Sequence, residues 1–240
     1  MALLFATGST CFFVGPFPGY AQLVGAVAVG ITFFVGSILF TGGGAVQSWL
    51  AFPERGSPGP GRAGWWAAII QSAGTLFFNV TTFHSLSTLP DNAGYDRLVW
   101  RPDALGSICF LVSGVIAYRA APRRGWRPVR GEAGWWEPGV NLLGCILFGI
   151  SAVAGYLVPS SGAILDLAAA NWTTAAGAAC FLVCAAATLR SGRTTKSPRF
   201  RRLHALGERV EHDVEAVERR RGRGRRTARR GAPGATRPGP

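Results

Sequence analysis

Acidic side chains are scarce in these 240 residues, 12 in all, while lysine occurs once and histidine three times. Charged residues make up 15% of the chain, where a soluble domain carries roughly a quarter. So thin a complement of charge excludes a water-soluble enzyme of ordinary composition. The five cysteines, Cys11, Cys109, Cys145, Cys180 and Cys184, all fall in apolar runs, which excludes a secreted disulfide scaffold. A hydrophobic content of 48% excludes disorder throughout. What charge there is gathers at the end of the chain. Sixteen of the 25 basic and 5 of the 12 acidic residues lie in 190–240, leaving an apolar body of net +2 and a tail of net +11.

Long hydrophobic runs fill the rest. No charged side chain precedes Glu54, and further uncharged runs cover 63–90, 104–118, 138–165 and 167–189. A bilayer core takes about 20 mostly apolar residues per helix, so each run is long enough to span or nearly so. Gly15-Pro16-Phe17-Pro18-Gly19 divides the first run, because prolines and glycines favour a turn over a continued helix. The spacing predicts an all-α integral membrane fold with six transmembrane helices near 1–15, 20–41, 65–87, 102–119, 138–158 and 168–189. The first is short, about 22 Å at 1.5 Å per residue. The body thus ends near 189, a juxtamembrane amphipathic helix follows over 190–221, and 222–240, rich in Arg, Gly and Pro, reads as disordered.

Basic residues stay on the cytoplasmic side, and they cluster after helices two, four and six. Both termini are therefore expected inside. Trp49, Trp65, Trp66, Trp126, Trp135 and Trp136 fall near the inner boundary and Trp100 and Trp172 near the outer one, as indoles at the headgroup layer require.

One pattern recurs in every expected helix: Gly, then Phe four on, then a small residue three further. It reads Gly8, Phe12, Gly15; Gly30, Phe34, Ser37; Gly74, Phe78, Thr81; Gly106, Phe110, Ser113; Gly144, Phe148, Ser151; and Gly177, Phe181, Cys184. Offsets of four and seven share one helical face, and small residues let membrane helices approach closely. Ala63-Gly64-Trp65-Trp66 and Ala133-Gly134-Trp135-Trp136 precede the third and fifth patterns at the same distance, which suggests three repeated helical hairpins. The unit around Gly30 to Ser37 and Gly106 to Ser113 resembles the YrhK-like family of small bacterial integral membrane proteins. The resemblance implies a bacterial plasma-membrane location and brings no catalytic residue with it.

Chemistry is sparse. Cys180 and Cys184 share a face and offer two thiolates to a soft metal, but cysteines at packing positions are better explained as small residues, and no cofactor is implied. Gln71, Thr75, Asn79 and Thr82 form a polar stripe on the third helix. They line a possible solute path or act as interhelical hydrogen-bonding glue. Asp103 reads as a helix-start carboxylate and Asp166 as ambiguous. No nucleophile elbow, phosphate loop, paired-carboxylate arrangement or histidine metal motif occurs. Arg123, Arg124, Arg127 and Arg130, with Arg219, Arg220, Arg221, Arg223, Arg225 and Arg226 in the tail, are candidates for contact with anionic lipid headgroups, at about 1 kcal/mol each. Nucleic acid is the lesser alternative for the arginine-rich segment, since lipid is closer. The expectation is a non-enzymatic membrane protein that meets the bilayer, anionic headgroups and a protein partner or second copy. The alternative is a small-solute transporter or channel.

Overall fold

The structure is a computed structural model, described at residues 1–88, 94–121, 123, 124, 127, 128, 135–192 and 239. The chain divides into two units, Met1–Ser191 and Gly192–Pro240, and the first holds the elements that follow. It is predominantly helical: α1 (Ala2–Val14), α2 (Pro18–Val24), α3 (Ala26–Ala51), α4 (Pro60–His84), α5 (Arg101–Ala120), α6 (Glu137–Ala154) and α7 (Leu167–Gly192). A 3₁₀ turn at Phe52–Gly56 follows α3, and a π-helical turn at Asp96–Trp100 runs into α5. Two short antiparallel ribbons complete it, β1 (Arg123–Arg124) with β2 (Arg127–Pro128) and β3 (Leu157–Val158) with β4 (Ala163–Ile164).

Proline sets where helices begin. Pro18, Pro60, Pro102 and Pro138 occupy first-turn positions, where the missing N–H costs nothing and the fixed φ is already helical. Asp166 has a defined task, because its Oδ1 accepts a hydrogen bond from the Ala169 amide at 2.9 Å and so caps α7. Asp103 does not cap α5. The π turn extends the helix upstream, so position 103 is no free end, and no side-chain cap bond forms there.

Several expected boundaries move. The second helix does not run from 20 to 41. Gly25, at φ +82°, breaks it, and α2 lies at 92° to α1, so the unbroken helix is Ala26–Ala51. Only glycine takes that backbone conformation without steric cost. The uncharged run continues past 41, and α3 follows it until Pro53 tightens the chain into the 3₁₀ turn. The fifth helix stops at Ala154 rather than 158, because Leu157 and Val158 pair with Ile164 and Ala163.

Consecutive long helices pack side by side, α1 on α3, α3 on α4, α4 on α5 and α5 on α6. The core is unlike that of a soluble bundle. Phe12, Phe40, Phe78, Phe110, Phe148 and Phe181, one from each long helix, form the buried cluster, while Leu23, Val27, Ile38, Leu143 and Val153 point outward. Among the described residues, four segments are long and apolar enough to cross a membrane: Ala26–Gly56, Asp96–Ala120, Glu137–Ala154 and Leu167–Ser191. The bent pair α1 and α2 makes a fifth if counted as one span. α4 is 25 residues long, but its polar residues Gln71, Ser72, Thr75, Asn79, Thr81, Thr82 and His84 keep it outside that set. The architecture is all-α and compatible with a membrane protein.

Candidate functional site

Three glycine pairs hold the bundle together. A Cβ added at Gly8 would meet the Gly36 carbonyl oxygen at 3.0 Å and the Phe40 ring at 2.8 Å, and one at Gly36 would meet the Phe12 ring at 3.1 Å. Gly74 and Gly106 face each other in the same way, each against the other's carbonyl and the other helix's phenylalanine. So do Gly144 and Gly177. A Cβ added at Gly36, Gly74 or Gly144 would meet the Cβ of Cys11, Cys109 or Cys180 at 2.8, 2.9 and 3.1 Å. These thiols therefore stand at equivalent packing places. Cys184 donates to the Glu137 carbonyl at 3.6 Å, and no group of three metal-ligating side chains occurs among the described residues.

The expected triplet of the second helix is displaced. Phe34 stacks on Phe83 at 5.8 Å, outside the cluster, and Gly30 faces Leu86. Gly36, Phe40 and Gly43 carry the same offsets six residues later and occupy the core, because the helix itself begins later and brings Phe40 to the depth of Phe12. Ser37 remains buried, its hydroxyl 2.8 Å from that of Thr82. Of the other small residues, Ser113 donates to Ala67, Ser151 to Ala170 and Thr81 to Val99, so each ties its helix to another segment.

The six rings close the axis. Phe40, Phe110 and Phe181 form one triangle with centroids 5.8–6.4 Å apart, and Phe148 joins Phe12 and Phe78 at 6.0 and 5.8 Å. Within hairpins the rings meet edge-on or tilted at 5.0–5.6 Å, the geometry aromatic quadrupoles favour. The gap that Ser37 and five of the rings, all but Phe181, enclose is about 10 Å³, no larger than one water requires.

On one side of this seal opens a vestibule of about 310 Å³, lined by residues of all six long helices. Its walls follow the packing pattern extended one turn toward the helix ends. Phe5, Gln71 and Asn141 each stand three residues before a paired glycine, Met1, Ala67 and Glu137 four before those, and Gln47, Ala117 and Thr188 seven after a core phenylalanine. Phe40 and Phe181 form its floor. Of the lining residues the sequence pattern marks Gln71, Phe181 and Cys184; the signal for Gln47, Glu137, Asn141 and Thr188 is this same spacing.

The polar stripe on α4 is largely engaged. Asn79 Nδ2 donates to Thr41 Oγ1 at 2.9 Å, Thr75 to the Ser72 carbonyl and Thr82 to the Phe78 carbonyl, while Gln71 Oε1 is 3.5 Å from Ser113 Oγ. Asn79 Oδ1 is buried with no partner among the described residues. The four side chains therefore do not share one cavity; Gln71 lines the vestibule and Thr75 is wholly buried.

At the other end, Arg101 pairs with Asp96 at 2.8 Å on the surface, and the Trp100 indole donates to the Ala152 carbonyl at 2.8 Å. Burial pushes the Tyr95 phenol above its usual pKa, and the Asp103 charge adds to that. Of the candidate lipid contacts, Arg123, Arg124 and Arg127 belong to the short ribbon by their backbone. Arg130 and the tail arginines Arg219, Arg220, Arg221, Arg223, Arg225 and Arg226 lie outside the described residues, as does 193–221 of the expected amphipathic helix.

These features define a helical bundle of the kind that membranes accommodate, with an aromatic seal on its axis. No family model, curated protein or solved structure matches the chain.

Proposed function

We propose that this is a non-enzymatic, multi-pass protein of the bacterial plasma membrane, related to the YrhK-like family. Its six long helices cross as three repeated hairpins, with both termini cytoplasmic and a basic tail that meets anionic lipid and a protein partner or second copy. One observation carries the reading: the bundle is packed inside out. Glycine, alanine, serine and phenylalanine fill the interior, while the branched aliphatic side chains face outward, Leu23 at 82% and Val27 at 72% exposure. Water penalises that surface, whereas hydrocarbon is as apolar as leucine and leaves close packing at small residues to hold helices together. α4 counts as a crossing helix on this reading, since it lies between α3 and α5 and its polar groups bond across to Thr41 and Ser48.

A reporter fused after Pro240 should be active only on the cytoplasmic side, and alkaline washing should leave the protein with the membranes. Export of the reporter, or release at alkaline pH, would overturn the topology. Changing Arg219, Arg220, Arg221, Arg223, Arg225 and Arg226 to Gln should abolish salt-sensitive binding of the detergent-solubilised chain to anionic vesicles. Unchanged binding would remove the tail from the account.

The vestibule favours a second reading, a small-solute path that enters at Gln71 and is held shut by the phenylalanines. Flux through reconstituted liposomes, reduced by Gln71→Leu or Asn79→Leu, is its test.

A further inference from the structure

We infer that the vestibule is a binding site for a small organic cation, an aromatic or methylated ammonium. The inference concerns the cavity alone and holds however many helices cross the bilayer. A volume near 310 Å³ lies within the range of small-molecule sites, and every long helix contributes to its wall. Among the described residues Glu137 is the one charged side chain that lines it, and Met1 stands at the same mouth. The Glu137 carboxylate makes no ion pair and accepts no side-chain hydrogen bond among the described residues, and the Met1 amino group at the same mouth is not paired with it. Its position in the first turn of α6 gives it a partial positive charge from the helix end, which weakens the demand for a counter-ion without meeting it.

The rest of the wall selects what kind of cation fits. Phe40 and Phe181 present aromatic rings at the floor, which attract an ammonium and accommodate an apolar body around it. Gln47 and Asn141 bring amide groups to the wall, and an amide oxygen is a dipole that a cation attracts. An anion would face the unpaired Glu137 carboxylate, with the Met1 amino group the one positive group at the mouth among the described residues. A neutral apolar molecule would strip water from the carboxylate and return nothing. A metal ion lacks a ligand set here, since no group of three metal-ligating side chains occurs among the described residues.

The test is equilibrium binding to the full chain in micelles of a neutral detergent. Phenyltrimethylammonium is compared with tert-butylbenzene, which matches its shape without the charge. Saturable binding of one cation per chain, about tenfold or more tighter than the neutral compound, is expected. Glu137→Gln should remove that preference and Glu137→Asp should retain it, with the thermal unfolding midpoint reporting that each variant is folded. Should Glu137→Gln fail to fold, Gln47→Leu takes its place and should weaken cation binding. Equal binding of the two compounds, a preference that survives in Glu137→Gln, or binding no different from that of empty micelles would overturn the inference.

Discussion

A methyl group at Gly177 would come within 2.5 Å of the Phe148 ring and 3.1 Å of the Gly144 carbonyl oxygen, and at least one of those is backbone that cannot step aside. Gly177→Ala should therefore destabilise the bundle by about 1–3 kcal/mol, the usual cost of overpacking. Gly149→Ala, on the neighbouring helix with nothing within 4 Å of the added carbon, should be neutral or stabilise by up to about 1 kcal/mol through helix propensity. Thermal unfolding in one detergent compares the two directly. A matched loss in both would mean that the glycines serve flexibility rather than contact. The hydroxyl pairs contribute less: Ser113→Ala, which frees the Ala67 carbonyl, should cost about 0.6 kcal/mol by the same measurement.

At the level of the helix, the residue pattern alone left one ambiguity that the chain resolves by length. α3 contains two overlapping Gly–Phe–small triplets, Gly30-Phe34-Ser37 and Gly36-Phe40-Gly43, and nothing in the spacing ranks one above the other. Their depth decides. With Gly25 breaking the chain and the helix running to Ala51, the later triplet stands level with Phe12 and Phe110. The other five helices have a single such triplet near their middle, so the same reasoning found their paired glycines and core phenylalanines directly. The vestibule was illegible for a different reason: its wall is assembled from six separate helix ends, and only Gln71 among them belongs to a polar run. Phe40→Ala should accordingly cost about 3–5 kcal/mol, as a buried aromatic does, and Phe34→Ala, which loses one stacking contact with Phe83, clearly less. Unfolding midpoints in reverse order would place Phe34 in the core and refute this register.

Considered whole, the molecule can be told apart from a soluble helical bundle by how its surface tolerates charge. Ile38 lies on the outer face of α3 at 48% exposure, flanked along the same helix by the exposed Ile31 and Val35. In water, replacing such an isoleucine by arginine is close to neutral and improves solubility. In a bilayer the same change sets a charge near the middle of a span, at about 2.5–3.5 kcal/mol by insertion scales. Gln71, by contrast, already lies on the inward face, where a polar group is expected to survive because it meets the vestibule rather than lipid. Ile38→Arg should then lower the fraction of chain recovered in the membrane about tenfold or more, while Gln71→Glu, a change of charge on the inward face, is tolerated. Equal recovery of Ile38→Arg and the unaltered chain would mean that the outward face of α3 meets protein or water, and the inside-out packing would need another cause.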